Sequence, residues 1–399
     1  MRLHQKGIWM TTQDETAVRH DAEEIVRARL LEPFHAGGLS LANRVVMAPM
    51  TRNMAPDGVV TEDSARYYAR RAAGGVGLIV SEGTWIADDA ASHRDDVPRF
   101  YGDDALAGWK RVVEAVHRAG GRMFPQLWHV GMVRRPTDRA FSPASLPIGP
   151  SGVSYDPERG EYLQTGAEMT QARIDSVIDA YAAAALSAKE LGFDGVELHG
   201  AHGYLIDQFL WHVTNRRTDG YGGDMANRVR FAVEIVAECR RRVGPDFPIS
   251  LRFSDWKVDD YEARLAETPD ELAAMIEPLA AAGVDMFHCS TRRCWEPRFA
   301  GSELTLAGWT RKISGKTTIC VGSIGLSKRF DSKAERKDQA LEFPPAPLGQ
   351  MAAMTGRGEY DLAAVGRMLI ANPDWASLLA SGAQDGLRTY TPRMRSTLE

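Results

Sequence analysis

The sequence predicts a single (β/α)8 barrel, and three observations support that prediction. Eight short apolar runs of strand type alternate along the 399-residue chain with amphipathic segments of helical length. Barrels of this kind reach such a length as one domain. No Gly-x-Gly-x-x-Gly follows an early strand, which weighs against a dinucleotide-binding domain. A doubly wound open sheet remains the alternative, because periodicity does not show whether a sheet closes.

The predicted elements follow one another as strand, then helix. The strands cover residues 44–48, 77–81, 123–127, 195–198, 249–253, 286–289, 318–322 and 363–366. The main helical stretches cover residues 64–73, 106–119, 172–191, 227–243, 269–282, 304–313 and 348–354. Asp-Pro, Gly-Gly and Thr-Pro pairs mark loops between them. This order favours parallel strands joined by crossover helices.

We expect the barrel to occupy residues 29–385, between two tails. Residues 1–28 are polar and of mixed charge, so we expect a mobile N-terminal tail. Its only apolar run is too short for the core of a signal peptide. Met10 is a second possible start of the chain. Residues 386–399 are expected to form a C-terminal tail.

Three further segments do not fit a bare barrel. Residues 31–41 predict a hairpin with a glycine turn, which would cap the bottom of the barrel. Residues 131–170 form a long loop rich in Pro and Gly, which predicts a small subdomain over the active face. Residues 327–345 form a charged insertion, which we expect to be solvated surface outside the site.

Composition excludes several classes of protein. The chain is 44% hydrophobic and 25% charged, with a net charge of −5, which is ordinary for a globular protein. No basic stripe indicates nucleic acid or an anionic membrane as a partner. No run approaches the roughly 18 apolar residues of a membrane span. The four cysteines contain no Cys-x-x-Cys, so a zinc ribbon or iron–sulfur site is disfavoured, and reduced thiols of a cytoplasmic protein are expected.

The richest stretch for chemistry is GVELHGAHGYLIDQFL, residues 195–210. Strand-like residues lead into His199, His202 and Tyr204, and a helix-like run follows. Two imidazoles and one phenol within six residues can bind an oxygen and supply a proton, and both tasks suit reactions at a carbonyl group. The alternative is a strand end with two hydrogen-bonded histidines and a packed tyrosine.

A second motif follows at once, TNRRTDGYGGD from residue 214. Together, the two motifs resemble the Old Yellow Enzyme family of flavin-dependent NAD(P)H oxidoreductases. The Asn-x-Arg-x-Asp-x-Tyr-Gly-Gly signature of that family is matched by Asn215, Arg217, Asp219, Tyr221, Gly222 and Gly223. The resemblance extends from about residue 31 to about residue 379. It implies FMN as the bound cofactor and NADPH or NADH as the hydride donor.

In barrels of this kind the active site lies at the C-terminal ends of the strands. The residues expected there, most of them polar or glycine, are Pro49, Met50, Thr51, Arg52, Glu82, Gly83, Gln126, Trp128, His129, His199, His202, Arg252, Gly322, Ser323, Gly366 and Arg367. Small residues and a guanidinium at the last two strand ends suit a phosphate. A buried arginine on the fifth strand would require an anion, and reduced flavin carries negative charge near N1.

The resemblance assigns roles to these positions. Pro49, Met50 and Thr51 correspond to flavin contacts, with Thr51 where one branch of the family has cysteine. Gly83 resembles the backbone donor beside the flavin, and Gln126 and Arg252 match the residues that bind the isoalloxazine ring. The phosphate contacts correspond to Gly322, Ser323, Gly366 and Arg367. Substrate contacts correspond to Trp128, a wall residue, to the oxygen-binding pair His199 and His202, and to the proton donor Tyr204.

The function expected from this resemblance is that of an FMN-dependent ene-reductase acting on small activated alkenes. Flavin-dependent dehydrogenation or demethylation on the same scaffold is the alternative. A cofactor-free barrel isomerase or aldolase is a different class, disfavoured because no lysine ends a predicted strand to form a Schiff base. The chain departs from the family pattern at VGSIG, which lacks a glycine pair, and in the insertion that follows. Monomeric and homo-oligomeric states both remain open.

Overall fold

The computed structural model describes residues 12–134 and 146–399. Residues 1–11, with the possible start at Met10, and residues 135–145 of the predicted loop subdomain lie outside the described residues. Side chains are described from residue 20 onwards. Among the helices of these two ranges, none combines the length and apolar character that a membrane crossing requires.

The predicted barrel is present and closed. Eight parallel strands, which begin at residues 45, 78, 122, 196, 249, 286, 317 and 362, pair in chain order, and the last pairs with the first. The strands are β1 Phe34–Ala36, β2 Leu39–Leu41, β3 Val45–Met47, β4 Leu78–Trp85, β5 Arg122–Trp128, β6 Ile148–Gly149, β7 Val153–Asp156, β8 Glu161–Gln164, β9 Ala167–Glu168, β10 Val196–His202, β11 Ile249–Lys257, β12 Met286–Ser290, β13 Thr317–Val321 and β14 Leu362–Val365. The closure excludes the open sheet considered from the sequence.

The helices flank the barrel between these strands. They are α1 Thr12–Leu31, α2 Glu62–Ala73, α3 Asp103–Arg118, α4 Gln171–Leu191, α5 Leu205–Leu210, α6 Met225–Arg228, α7 Arg230–Val243, α8 Pro269–Ala282, α9 Leu306–Ser314, α10 Ser332–Lys337, α11 Ala352–Gly356, α12 Arg367–Ala371 and α13 Trp375–Ser381. Threonine hydroxyls cap the N-termini of α2, α4, α8 and α9, and left-handed glycines end α4, α8 and α9. The single helix predicted over residues 227–243 is divided at Val229 into α6 and α7.

Two irregularities in strand pairing lie at the active end of the barrel. The register of β4 against β5 shifts between Val80 and Gly83, and the register of β10 against β11 shifts between Gly200 and His202. A bulge changes the direction in which the following side chains point. These shifts therefore set the positions of Gly83 and His202, two residues predicted to belong to the site.

The predicted hairpin at residues 31–41 is confirmed as β1 and β2, paired antiparallel from Phe34 and Leu41 to Ala36 and Leu39. Its apolar side chains are buried in one cluster with inward-facing residues of the barrel strands, among them Val46 and Phe124. The hairpin thus covers barrel core that would otherwise contact water.

The N-terminal segment differs from the mobile tail expected over residues 1–28, because the chain is helical from Thr12 to Leu31. Val26 and Leu30 are fully buried, and α1 packs against the turn at Leu348–Met351 and against α11. Glu23 Oε2 also accepts the N–H groups of Leu348 and Gly349, at 2.6 and 3.0 Å. The sequence did not predict this packing because the segment is charged and contains few apolar residues.

The C-terminal residues 386–399 also pack against the barrel rather than forming a free tail. Tyr390 is fully buried and forms a β-bridge with Phe343. The guanidinium of Arg52, at the end of β3, donates from Nη2 to the carbonyl oxygen of Thr397 at 2.6 Å. The segment therefore lies beside the active end of the barrel.

Helix α1 offers a direct test of this packing. Leu30→Ala removes a fully buried side chain, which typically costs about 2–5 kcal/mol of unfolding free energy. Ile25, on the same helix, is 50% exposed, and Ile25→Ala should change that free energy by less than about 1 kcal/mol. Urea denaturation measures both. Equally small losses in the two variants would mean that α1 is not docked.

Candidate functional site

One cavity at the C-terminal end of the barrel collects the predicted site. Its volume is about 310 Å³. All fourteen residues proposed from the sequence as cofactor-binding, substrate-binding or catalytic line it: Pro49, Met50, Thr51, Gly83, Gln126, Trp128, His199, His202, Tyr204, Arg252, Gly322, Ser323, Gly366 and Arg367. Three other residues expected at the strand ends, Arg52, Glu82 and His129, do not line it. His129 is fully buried, with Nε2 3.2 Å from Asp88 Oδ1.

The two histidines lie at the end of β10 with ring centroids 5.4 Å apart. Burial lowers the pKa of His199 to about 3, and the nearby charge of Arg252 acts in the same direction. Burial and Arg252 likewise hold the pKa of His202 well below its ordinary value. The backbone N–H of Ala201 donates to His199 Nδ1 at 3.3 Å, so the single proton of the neutral ring belongs on Nε2. Both imidazoles are therefore neutral hydrogen-bond donors.

Tyr204 stands at the N-terminus of α5 beside the histidines. Its ring packs edge-to-face on Trp128 at 4.8 Å and on His199 at 5.0 Å. Burial raises the pKa of Tyr204 to about 12, and Asp259 adds to that rise. The phenol therefore keeps its proton at neutral pH, and the two aromatic contacts fix its ring at the wall of the cavity.

Arg252 is the buried cation of the site. Its side chain lines the cavity, the residue is 6% exposed, and its Nε has no hydrogen-bond partner among the described residues. Burial lowers the pKa of Arg252 to about 10, against the opposing effect of Glu197, so the guanidinium stays charged. A buried guanidinium with an unsatisfied N–H favours an anion or a carbonyl oxygen beside it.

Beneath Arg252 lies a carboxylate network that sequence reasoning missed. Glu197 accepts from Gln126 Nε2 at 2.8 Å, from Ser250 Oγ at 3.1 Å and from His288 Nδ1 at 2.7 Å. Burial opposes ionisation of Glu197, but His288 and the other partners outweigh it and lower its pKa to about 2. The sequence signal for this network was the presence of Glu197 and His288 within the apolar runs GVELHG and MFHCS.

Two glycines lie where the wall of the cavity leaves no room for a side chain. A Cβ on Gly83 would lie 2.7 Å from Trp128 Cε3, and one on Gly322 would lie 2.6 Å from the carbonyl oxygen of Thr291. Ser323, next in the chain, adopts a left-handed conformation with φ of 54°. Substituting either glycine therefore requires neighbouring atoms to move, and Gly322 and Ser323 form a tight turn at the end of β13.

The insertion at residues 327–345 reaches the site, so the expectation of solvated surface is wrong for part of it. Glu335 on α10 is fully buried and lines the cavity. Its Oε1 accepts from Arg367 Nη1 at 2.9 Å, and its Oε2 lies 3.5 Å from Arg395 Nη2 and accepts from the Tyr390 hydroxyl at 3.3 Å. Charged composition alone gave no sign of which carboxylate turns inward.

These features define a class of protein: a (β/α)8 barrel enzyme whose cavity is lined by neutral hydrogen-bond donors, a buried arginine, a tight glycine turn and a second arginine. The family model for the NADH:flavin oxidoreductase / NADH oxidase family matches residues 29–342. The chain belongs to this family, that of Old Yellow Enzyme, and is an oxidoreductase whose cofactor is FMN.

The sequences of two relatives and one solved structure are similar to this chain over most of its length. The chain is 33% identical over 368 residues to 12-oxophytodienoate reductase 2 of Arabidopsis thaliana, with 89% of each chain covered. It is 35% identical over 364 residues to the NADH oxidase of Thermoanaerobacter brockii, covering 88% of this chain but only 50% of that longer protein. Among solved structures, morphinone reductase in complex with tetrahydroNAD superposes with a TM-score of 0.74 at 30% identity, covering 92% and 93% of the two chains.

The cavity suits FMN on its own chemistry. Arg252 brings a buried cation with an unsatisfied N–H, and Gln126 keeps its carbonyl oxygen and one N–H after its bond to Glu197. Arg367 supplies a cation at the glycine-rich end, although Glu335 already pairs with it. If Arg367 holds the FMN phosphate, as the sequence predicts, the phosphate and Glu335 would compete for the same guanidinium.

That competition can be measured with Glu335→Gln, which removes the internal anion. We expect FMN to raise the thermal unfolding midpoint of the apoprotein more in this variant than in the wild type, because Arg367 then lacks another charged partner. Glu342→Gln, at an exposed position of the same insertion, is the matched control and should match the wild type. An equal rise in all three proteins would contradict a competition between Glu335 and the phosphate.

The lowered pKa values of the two histidines give a second prediction. A histidine with an ordinary pKa gains its charge between about pH 8 and pH 5. Because the pKa of His199 is about 3 and that of His202 is well below normal, both rings should stay neutral through that range. Ring NMR signals assigned with His199→Asn and His202→Asn should not move, while added N-acetylhistidine titrates. A change in these ring signals centred at about pH 6.5 would show that the ring gains a proton with an ordinary pKa.

Proposed function

We propose that this protein is an ene-reductase that uses NADPH or NADH to reduce activated C=C bonds of α,β-unsaturated carbonyl and nitro compounds. One observation carries the proposal: two neutral imidazole donors, a protonated tyrosine and a buried arginine face the same cavity. Neutral donors suit an oxygen that becomes negative during the reaction. The four free thiols are buried, in keeping with the cytoplasmic location that we propose.

The residues divide into those that hold FMN and those that act on the substrate. Thr51, Gly83, Gln126 and Arg252 would hold the flavin ring. Pro49 and Met50 would contact the flavin beside them, and the phosphate would be held by the strand-end residues Gly322, Ser323, Gly366 and Arg367. FMN, when bound, supplies the hydride that the β-carbon of the alkene receives. Arg252 favours the reduced, anionic form of the cofactor because its charge is buried and uncompensated by a hydrogen bond at Nε.

His199 and His202 would bind the carbonyl or nitro oxygen of the substrate. As hydride reaches the β-carbon, negative charge moves onto that oxygen, and two N–H donors stabilise it. Removing one donor of this kind typically costs about 3–4 kcal/mol of barrier. The stacked contact between Trp128 and His199, with centroids 5.9 Å apart, holds the first ring in place. The histidines therefore orient the alkene as well as polarising it.

Tyr204 would then donate its proton to the α-carbon. Its raised pKa, about 12, keeps the proton available at neutral pH, and the enolate carbon is basic enough to take it. Because the family is flavin-dependent, we do not retain the cofactor-free isomerase or aldolase. Reduction is favoured over the oxidative alternative by the combination of an oxygen-binding pair with an adjacent proton donor.

The absorption spectrum of the purified protein tests the proposal. It should be yellow, acid or heat should release FMN, and anaerobic NADPH or NADH should bleach the flavin band. Cyclohexenone should then restore that band and appear as cyclohexanone. A colourless protein that FMN does not reconstitute, or reduced enzyme that neither cyclohexenone nor a nitroalkene re-oxidises, would contradict the proposed function.

Tyr204→Phe separates proton donation from binding, because it keeps the ring and removes only the hydroxyl. Reduction by NAD(P)H needs no proton from the protein at the nicotinamide, so its rate should stay within a few-fold of wild type. General-acid assistance is worth about 10²–10⁴-fold, so re-oxidation by cyclohexenone should slow by at least about 100-fold. Stopped-flow absorbance measures both steps. Equal losses in the two steps would make Tyr204 structural, and no loss would mean that another acid supplies the proton.

A further inference from the structure

The hydroxyl of Ser290 lies directly behind one of the two proposed oxygen-binding histidines. Ser290 ends β12 and is 2% exposed, and its Oγ lies 2.8 Å from His202 Nε2. This is the one hydrogen bond that the described residues offer to that hydroxyl. Ser254 on β11 and Ser290 on β12 are paired residues, so the two serines lie side by side next to His202.

One stacking contact holds the ring of His202, and two linked hydrogen bonds hold its backbone. It stacks on Trp256 with centroids 4.1 Å apart and an interplanar angle of 27°. The backbone N–H of His202 donates to Ser254 Oγ at 2.8 Å, and Ser254 passes its own proton to the carbonyl oxygen of Trp256 at 2.7 Å. His202 also has a positive φ of 65°, at the register shift in β10. The ring therefore keeps Nε2 towards Ser290.

The number of protons on His202 and Ser290 determines which of them is the donor in the hydrogen bond between them. Burial keeps the pKa of His202 well below normal, so the ring carries only one N–H. If that proton were on Nε2, it would donate to Ser290 Oγ, and the buried O–H of Ser290 would have no acceptor among the described residues. If Ser290 donates instead, its O–H is satisfied and the proton of the ring is on Nδ1, where it is available to a ligand in the cavity that His202 lines. The second arrangement is the favourable one.

We infer that Ser290 is a positioning residue, which donates to His202 Nε2 and fixes the tautomer that carries its proton on Nδ1. His202 Nδ1–H and His199 Nε2–H then both serve as donors to one substrate oxygen. With the opposite tautomer, a lone pair of His202 would face that oxygen and repel the charge that develops on it. This role rests on the proposed function, and it makes Ser290 necessary for the paired donors rather than for contact with the substrate.

A matched pair of variants isolates the hydroxyl of Ser290. Thr and Val have the same shape and both favour strands, so Ser290→Thr and Ser290→Val add the same methyl group and differ only in the hydroxyl. The readout is titration of oxidised holoenzyme with 4-hydroxybenzaldehyde, followed by its long-wavelength charge-transfer absorbance. Ser290→Val should bind this phenolate roughly 10- to 100-fold more weakly than Ser290→Thr, the range for one hydrogen bond to a charged group. Equal affinity in the two variants would overturn the inference.

Two further measurements make the result specific. In a His202→Ala background the Thr and Val variants should bind the phenol equally, because Ser290 acts through His202, and a remaining difference would overturn that route. Ring-nitrogen NMR of wild-type holoenzyme with ¹⁵N-labelled histidine, assigned through His202→Asn, should find the proton on Nδ1. A proton on Nε2 would overturn the inference even if the Val variant fails to fold. Wild-type enzyme that binds no phenol would instead contradict the proposed function, and the NMR result would still decide the tautomer.

Discussion

The buried charge of Arg252 is the constraint on which the rest of the site depends. Its guanidinium lies on β11 at the cavity, and the ionised Glu197 is the internal anion that acts most strongly on its pKa. Gln126, Ser250 and His288 hold that carboxylate by hydrogen bonds. A buried cation costs several kcal/mol when it lacks a partner, so this network and a bound anionic cofactor together make the arrangement stable. The same positive charge helps to keep both histidines of the cavity, His199 and His202, neutral.

The closed barrel brings these groups together because parallel strands place neighbouring residues side by side. Arg252 pairs in register with His199 on β10 and with His288 on β12. A one-residue change of register would turn every second side chain away from the cavity. The pairing of β10 with β11 departs from this regular register between Gly200 and His202. This shift lets His202 line the cavity together with His199. Strand pairing thus brings residues that are far apart in the sequence into one electrostatic unit.

The fold and the lining of the cavity could be predicted from the sequence because both depend on local patterns. Apolar runs gave the eight barrel strands to within a few residues, and polar residues at the ends of those runs gave the cavity. Residues that act through distant contacts could not be found in this way. Glu335 resembles the exposed charges around it until α10 folds back onto Arg367, and Arg395 joins them from the C-terminal segment. Helix α1 was missed because only its contacts with the Leu348–Met351 turn and α11 show that Val26 and Leu30 are buried.

The reduction potential of bound FMN tests this account most directly. If the charge of Arg252 favours the anionic reduced cofactor, Arg252→Met should lower the two-electron potential by at least about 30 mV, which corresponds to about 1.4 kcal/mol. Arg252→Lys keeps a positive charge and should retain more of the wild-type value, although it loses the planar guanidinium. Spectroelectrochemical titration of the three holoenzymes gives the comparison. An Arg252→Met enzyme with a full complement of FMN and an unshifted potential would contradict the central role of this charge.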